Sequence, residues 1–150
     1  MALDELYREV ILDHYRNPRN RKPLESSDAH ADGHNPLCGD EISLDLHFDG
    51  DVVGEVSIIG RGCSISQSSA SMMSEAVKGK TRTEIEELTS RFKAMMDIDS
   101  EGDAGLDPDR PGAVLGDLEA LQGVRKFPVR IKCANLAWTT LDEALSHHPG

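Results

Sequence analysis

No stretch of the 150-residue sequence approaches the roughly 18 consecutive apolar residues of a membrane span. The start is acidic and amphipathic from Leu3 on, which is not the pattern of a secretory signal, so a cytoplasmic location is expected. Basic residues are scarce: 16 Lys and Arg stand against 27 Asp and Glu, a formal net charge of −11. Such a surface repels nucleic-acid phosphates and anionic lipid, which argues against nucleic acid and membrane as partners. The two basic clusters, Arg16-Asn17-Pro18-Arg19-Asn20-Arg21-Lys22 and residues 125–132, are short and read as protein-docking or solvated surface. Cysteine is scarce too. Three are present, Cys38, Cys63 and Cys133, an odd number far apart in sequence, so a disulfide framework would leave one over. There is no C-x-x-C knuckle of the zinc-finger kind, no G-x-S-x-G elbow and no Gly-rich phosphate loop.

What is present is a globular composition, 38% hydrophobic and 29% charged. A chain of this length buries roughly two-thirds of its unfolded surface, enough for one domain spanning 1–150 without disulfide help. Leu3, Leu6, Tyr7, Val10, Ile11, His14 and Tyr15 recur at helical spacing and predict an amphipathic helix that stops before Asn17-Pro18. Residues 18–37 read as a polar covering loop, with a short edge strand near 29–33. From Glu41 the period changes to two: Ile42, Leu44, Leu46 and Phe48 alternate with Ser43, Asp45 and His47. The Asp49-Gly50-Asp51 turn then returns the chain into a second strand over 52–59. His47, on the polar face, reads as a solvated side chain.

A helix is expected to follow, capped by Ser64 or Ser66 and ending at Gly79. A third begins at a capping box with Thr83 as cap and Glu86 three residues on, and runs to about Asp97. Residues 98–113 are acidic and rich in Gly and Pro, a loop or insertion without regular structure. A short helix near 115–122 precedes a last helix with Pro128 in its first turn. Its inward stripe is Cys133, Leu136, Ala137, Thr140, Leu141, Ala144 and Leu145. The terminal His147-His148 is given no role.

Each cysteine falls at an element boundary. In an antiparallel hairpin the start of one strand and the end of the next lie side by side, so Cys38 and Cys63 are expected to be neighbours. A helix N-terminus beside them favours thiolate. Residues i and i+2 of an extended segment face the same way, so Cys38 and Asp40 point together across Gly39. With Cys63 and Cys133 they compose three sulfurs and one oxygen, a donor set that suits zinc and not magnesium or calcium. The plain alternatives are buried cysteines acting as small hydrophobes and Asp40 as a turn former.

Four stretches, LYREVILDHYRNPRN, NPLCGDEI, GRGCSISQSSASMMSEAVKGKT and VRIKCANLAW, together resemble the SufU family, IscU-like zinc proteins of the sulfur-mobilisation pathway for iron–sulfur cluster assembly. The resemblance implies a two-layer α+β fold of the IscU/SufE kind, a small antiparallel sheet packed on helices with a long C-terminal helix. It implies zinc on Cys38, Asp40, Cys63 and Cys133, and acceptance of persulfide sulfur from a SufS-type cysteine desulfurase, with a cluster-assembly scaffold downstream. Cys38 is then the ligand that leaves and carries sulfur, because its Gly-flanked loop moves most freely. Arg130 pairs with Asp40 or steadies the freed Cys38, or is a solvated helix-start residue. Two departures separate the chain from the IscU scaffold branch. Lys132 stands where that branch has histidine before its last cysteine, and Lys126-Phe127-Pro128-Val129-Arg130 only partly echoes its Leu-Pro-Pro-Val-Lys stretch. With the acidic insertion, a trait of SufU, they favour sulfur transfer over the alternative, an iron–sulfur cluster scaffold.

Overall fold

A computed structural model of the chain describes residues 3–36, 38–96, 110 and 114–146. The element order is α1 (Leu3–Arg16), β1 (Ala29–Asn35), β2 (Asp40–Asp49), β3 (Val52–Arg61), α2 (Ser64–Val77), α3 (Arg82–Met96), a 3-10 helix (Gly116–Lys126) and α4 (Pro128–Ser146). The acidic segment 98–113 (residue 110 apart) and the terminal His147-His148 lie outside the described residues.

The three strands form one antiparallel sheet in the order β1-β2-β3. The alternation that announced β2 sorts its faces as expected. Ile42, Leu44 and Leu46 are buried under the helices, while Glu41, Ser43, Asp45 and His47 face outward and are only partly covered. Two layers result, the sheet and a helical layer in which α2 and α4 lie on its apolar face. In that layer Phe92 of α3 stacks on Trp138 of α4 with ring centroids 4.5 Å apart.

Several boundaries differ from the sequence reading, each for an identifiable reason. The edge strand runs to Asn35, two residues further than expected, because β2 continues to pair with it as far as Asn35 opposite Asp40. The capping box of α3 is Thr81 and Glu84, not Thr83 and Glu86. The Thr81 amide donates to Glu84 Oε1 at 3.1 Å and the Glu84 amide to Thr81 Oγ1 at 3.2 Å. Both pairs fit the spacing rule, and the chain uses the one nearer Gly79, whose φ of +81° reverses direction after α2. The stretch before α4 is a 3-10 helix reaching Lys126, longer than the short helix expected there.

His47 is half-buried rather than freely solvated, with Nδ1 3.0 Å from an Asp28 carboxylate oxygen. Leu6 and Tyr15, members of the helical stripe of α1, are exposed, while His14 is buried. Its Nδ1 lies 2.8 Å from Ser71 Oγ of α2 and its Nε2 2.8 Å from Asp117 of the 3-10 helix. One imidazole therefore ties together three elements that surround the cysteine end of the molecule.

Candidate metal centre

The loop between β1 and β2 is short, because Asn35 pairs with Asp40 across it. Cys38 sits in this hairpin loop, its amide donating to the Asn35 carbonyl at 3.3 Å. Gly39 has φ +67°, so Cys38 and Asp40 are related by a turn and not by the extended spacing expected. They converge nonetheless. A sulfur of Cys38, a carboxylate oxygen of Asp40 and the sulfur of Cys133 lie within 4.8 Å of one another.

Asp40 is fully buried and is the hub of the site. Its Oδ1 accepts the Cys63 amide at 2.9 Å, and its Oδ2 lies 3.9 Å from Cys63 Sγ. Gly62 makes this possible. Its φ is +147°, and a Cβ there would run into the Asp40 carboxylate and stand 2.9 Å from the Asp40 Cα. Burial pushes the Asp40 carboxyl up, but the Cys63 amide and hydrogen bonds from Cys133, Ser66 and Cys63 outweigh it and hold the group below the usual carboxylate range.

Cys63 caps α2 itself, in place of the serines expected, its sulfur accepting the Ser66 amide at 3.5 Å. The positive end of a helix thus points at this sulfur. Cys133 comes from the second turn of α4 and is completely buried. Burial, followed by hydrogen bonds to Cys38, Asp40 and Cys63, pushes its thiol far up from the ordinary cysteine value. The expected pairing of Cys38 with Cys63 takes a different form. Cys38 closes on Cys133, the two sulfurs 3.2 Å apart, and Cys63 joins through Asp40. Arg130, exposed one turn earlier on α4, places Nη1 3.9 Å from Cys38 Sγ, beside the thiol it was expected to steady.

The donor chemistry fits a thiophilic cation. Zinc–sulfur bonds of about 2.3 Å in a tetrahedron put neighbouring ligand atoms about 3.5–3.8 Å apart. The separations of 3.2 and 3.9 Å bracket that value. Among the described residues this is the one group of three or more such side chains whose ligand atoms converge.

Residues 6–134 match the family model of the NifU-like N-terminal domain. The chain belongs to that family. Its relatives include SufU and IscU proteins. The chain is 48% identical over 150 residues to a Bacillus subtilis protein named zinc-dependent sulfurtransferase SufU, covering 99% of this chain and 95% of the relative. It is 41% identical to a Streptococcus pyogenes protein named iron–sulfur cluster assembly scaffold protein IscU, covering 95% and 84% of the two chains. Among solved structures it superposes with a TM-score of 0.81, at 34% identity, on a candidate SUF-system cluster-assembly scaffold protein from Fervidobacterium islandicum, covering 96% of this chain and 99% of that one.

For this SufU-like chain the sequence reading missed one residue of the site. Asn35 is buried, and its amide nitrogen lies 3.4 Å from Asp40 Oδ2 and 3.6 Å from Cys133 Sγ. It donates to two of the converging groups at once. The signal that could have found it is its place in Asn35-Pro36, directly before the cysteine loop, where an Asn next to a proline reads as an ordinary turn former.

Proposed function

We propose that this protein is a zinc-dependent sulfurtransferase that accepts persulfide sulfur from a SufS-type cysteine desulfurase for iron–sulfur cluster assembly. The observation that carries the proposal is the position of Cys38. It is a partly exposed thiol in a short loop, while Asp40 and Cys133 beside it are buried. The identity to a protein named as a zinc-dependent sulfurtransferase supports the same reading.

Cys38, Asp40, Cys63 and Cys133 would hold the zinc. When bound, zinc keeps its cysteine ligands as thiolates at neutral pH and shields them from stray oxidants. Three residues anchor the site: Cys133 and Asp40, both buried, and the half-buried Cys63, held by its place as the cap of α2, whose amide fixes Asp40. Cys38, in the loop, is the group free to move toward a partner. Its thiolate attacks the outer sulfur of the donor persulfide. A new S–S bond forms to Cys38, the donor S–S bond breaks, and the donor cysteine leaves as thiolate. The Arg130 guanidinium faces Cys38 and steadies the sulfur while it carries negative charge.

The relative named as an IscU scaffold favours a second reading, a carrier that builds a cluster on the same residues. Colour separates the two. A zinc protein stays colourless, whereas a scaffold turns brown after anaerobic reconstitution with iron and sulfide. The deciding experiment measures bound metal and then desulfurase turnover with the wild type and Cys38→Ala. A folded Cys38→Ala variant is expected to lose stimulation of the desulfurase by at least a hundredfold, the scale at which an essential nucleophile is removed. Full stimulation by that variant overturns the proposal.

A further inference from the structure

The sulfur carried by a persulfide is at the oxidation level of elemental sulfur, and becoming sulfide requires two electrons. The three cysteines are not equivalent in their ability to supply them. Cys133 Sγ lies 3.2 Å from Cys38 Sγ, within reach of an S–H···S contact, and is buried behind it. Cys63 is oriented elsewhere, its sulfur accepting the Ser66 amide and facing Asp40. Only Cys133 is poised to attack Cys38 without a rearrangement of helix starts.

We infer that Cys133 is the resolving thiol of a Cys38 persulfide and that the metal-free chain releases its sulfur as hydrosulfide. The proton of the Cys133 thiol passes to the outer persulfide sulfur. Cys133 Sγ attacks Cys38 Sγ, the inner sulfur, forming the Cys38–Cys133 disulfide. The S–S bond of the persulfide breaks, and its outer sulfur leaves with the bonding pair as hydrosulfide. The two electrons that reduce the sulfur come from the two cysteines, which are oxidised to the disulfide, so no outside oxidant is needed. From 3.2 Å, the closure to a disulfide length of about 2.05 Å requires a movement of little more than 1 Å. Arg130, 3.9 Å from Cys38 Sγ, offers a cation beside the departing anion.

The reaction consumes the dithiol, so a thiol–disulfide reductant must act next to restore it. Metal content then decides the form in which sulfur leaves. With zinc held, Cys133 is engaged as a ligand and the persulfide persists for transfer. Without it, the sulfur departs as hydrosulfide. This inference rests on Cys38 as the sulfur carrier, but its test does not need the desulfurase.

The full chain, metal-free and zinc-loaded, is given persulfide by brief treatment with inorganic polysulfide, desalted anaerobically, and followed by hydrosulfide detection and non-reducing peptide mass mapping. The expected result is hydrosulfide from the metal-free chain together with an intramolecular Cys38–Cys133 disulfide, and release at least tenfold slower from the zinc-loaded chain. Cys133→Ser is expected to slow release at least tenfold while the extra sulfur stays on Cys38. Should that variant not fold, the wild-type disulfide map decides alone. A persulfide retained by the metal-free wild type, or a disulfide joining Cys38 to Cys63 or to a second chain, overturns the inference. If polysulfide-loaded protein resolves as described but the desulfurase never delivers sulfur to Cys38, the proposed function fails and this inference stands.

Discussion

The outward face of the sheet and the cysteine end of the molecule both collect metal-loving side chains, with opposite results. On the sheet face, His30 bridges Asp45 and Asp32 at 2.9 and 3.1 Å, and His47 lies 3.0 Å from Asp28. His30 is satisfied in the open and presents a different ring nitrogen to each carboxylate, so no single point gathers ligands. At the cysteine end Cys38 of a loop, Asp40 at the start of a strand and Cys133 of a helix converge, with Cys63 of a helix cap joined through Asp40, and Asp40 and Cys133 are buried. The number of potential ligands is greater on the sheet face. What distinguishes the cysteine end is burial, softness of the donors and convergence on one point.

A pair of glycine substitutions tests that contrast most strongly. Gly62 and Gly50 both have positive φ, +147° and +64°, but an added Cβ at Gly62 meets Asp40 and one at Gly50 meets nothing within 4 Å. Gly62→Ala is expected to cost about 3 kcal/mol, strain plus displacement of the buried carboxylate, and to weaken metal binding as well. Gly50→Ala is expected to cost about 1 kcal/mol of strain alone and to leave metal content unchanged. Denaturant titration and metal analysis of the two variants check this. Equal effects on metal content would remove the claim that Gly62 shapes the centre.

A smaller effect is expected at Asn35, which holds two of the converging groups without being a proposed ligand. Asn35→Ala removes a buried donor to Asp40 and Cys133. About a tenfold loss in metal affinity is expected, in line with residues that orient ligands from behind, along with about 1 kcal/mol of metal-free stability. Competition with a chromophoric chelator measures the first. A variant with wild-type affinity would show Asn35 to be a turn residue only.

The sequence carried the chemistry of this site better than its scaffolding. Cys38, Cys63 and Cys133 stand at element boundaries as their neighbours in sequence implied, and β2 with its return strand followed directly from a period of two. β1 was only partly legible. Its residues, Ala-His-Ala-Asp-Gly-His-Asn, have little strand preference of their own, and it is pairing with β2 that makes them a strand. Asn35 was hidden for the same reason, lying at the end of that strand. Cys63 as a helix cap escaped notice because two serines nearby are better cap formers in general. The stripe read for α4 was buried as expected, but Ala134 and Trp138 beside it are buried too, because the helix is covered on more sides than periodicity indicates.

The smallest effect belongs to the sheet face. Hydrogen bonds that His30 donates to Asp45 and then to Asp32 raise its pKa above the usual 6.5 against the opposing pull of desolvation. A raised folded pKa means that the stabilisation is fully present below pH 6.5 and is lost as pH rises through the folded value. The pair is half-exposed and screened by water, so the contribution is a few tenths of a kcal/mol. His30→Asn is therefore expected to destabilise slightly at pH 5.5 and not at all at pH 9, with metal binding unaltered at both. A change in metal content would mean that the two regions are not independent.

The central claim is that sulfur enters this protein at Cys38 and at no other residue. It is tested most directly by a single turnover of the zinc-loaded chain with a SufS-type desulfurase and cysteine, trapped by alkylation and mapped by mass spectrometry without reductant. The account expects one added sulfur atom on the peptide containing Cys38, and none on those containing Cys63 or Cys133. Added sulfur first on Cys63 or Cys133, or on no cysteine while the desulfurase is nonetheless stimulated, would contradict it.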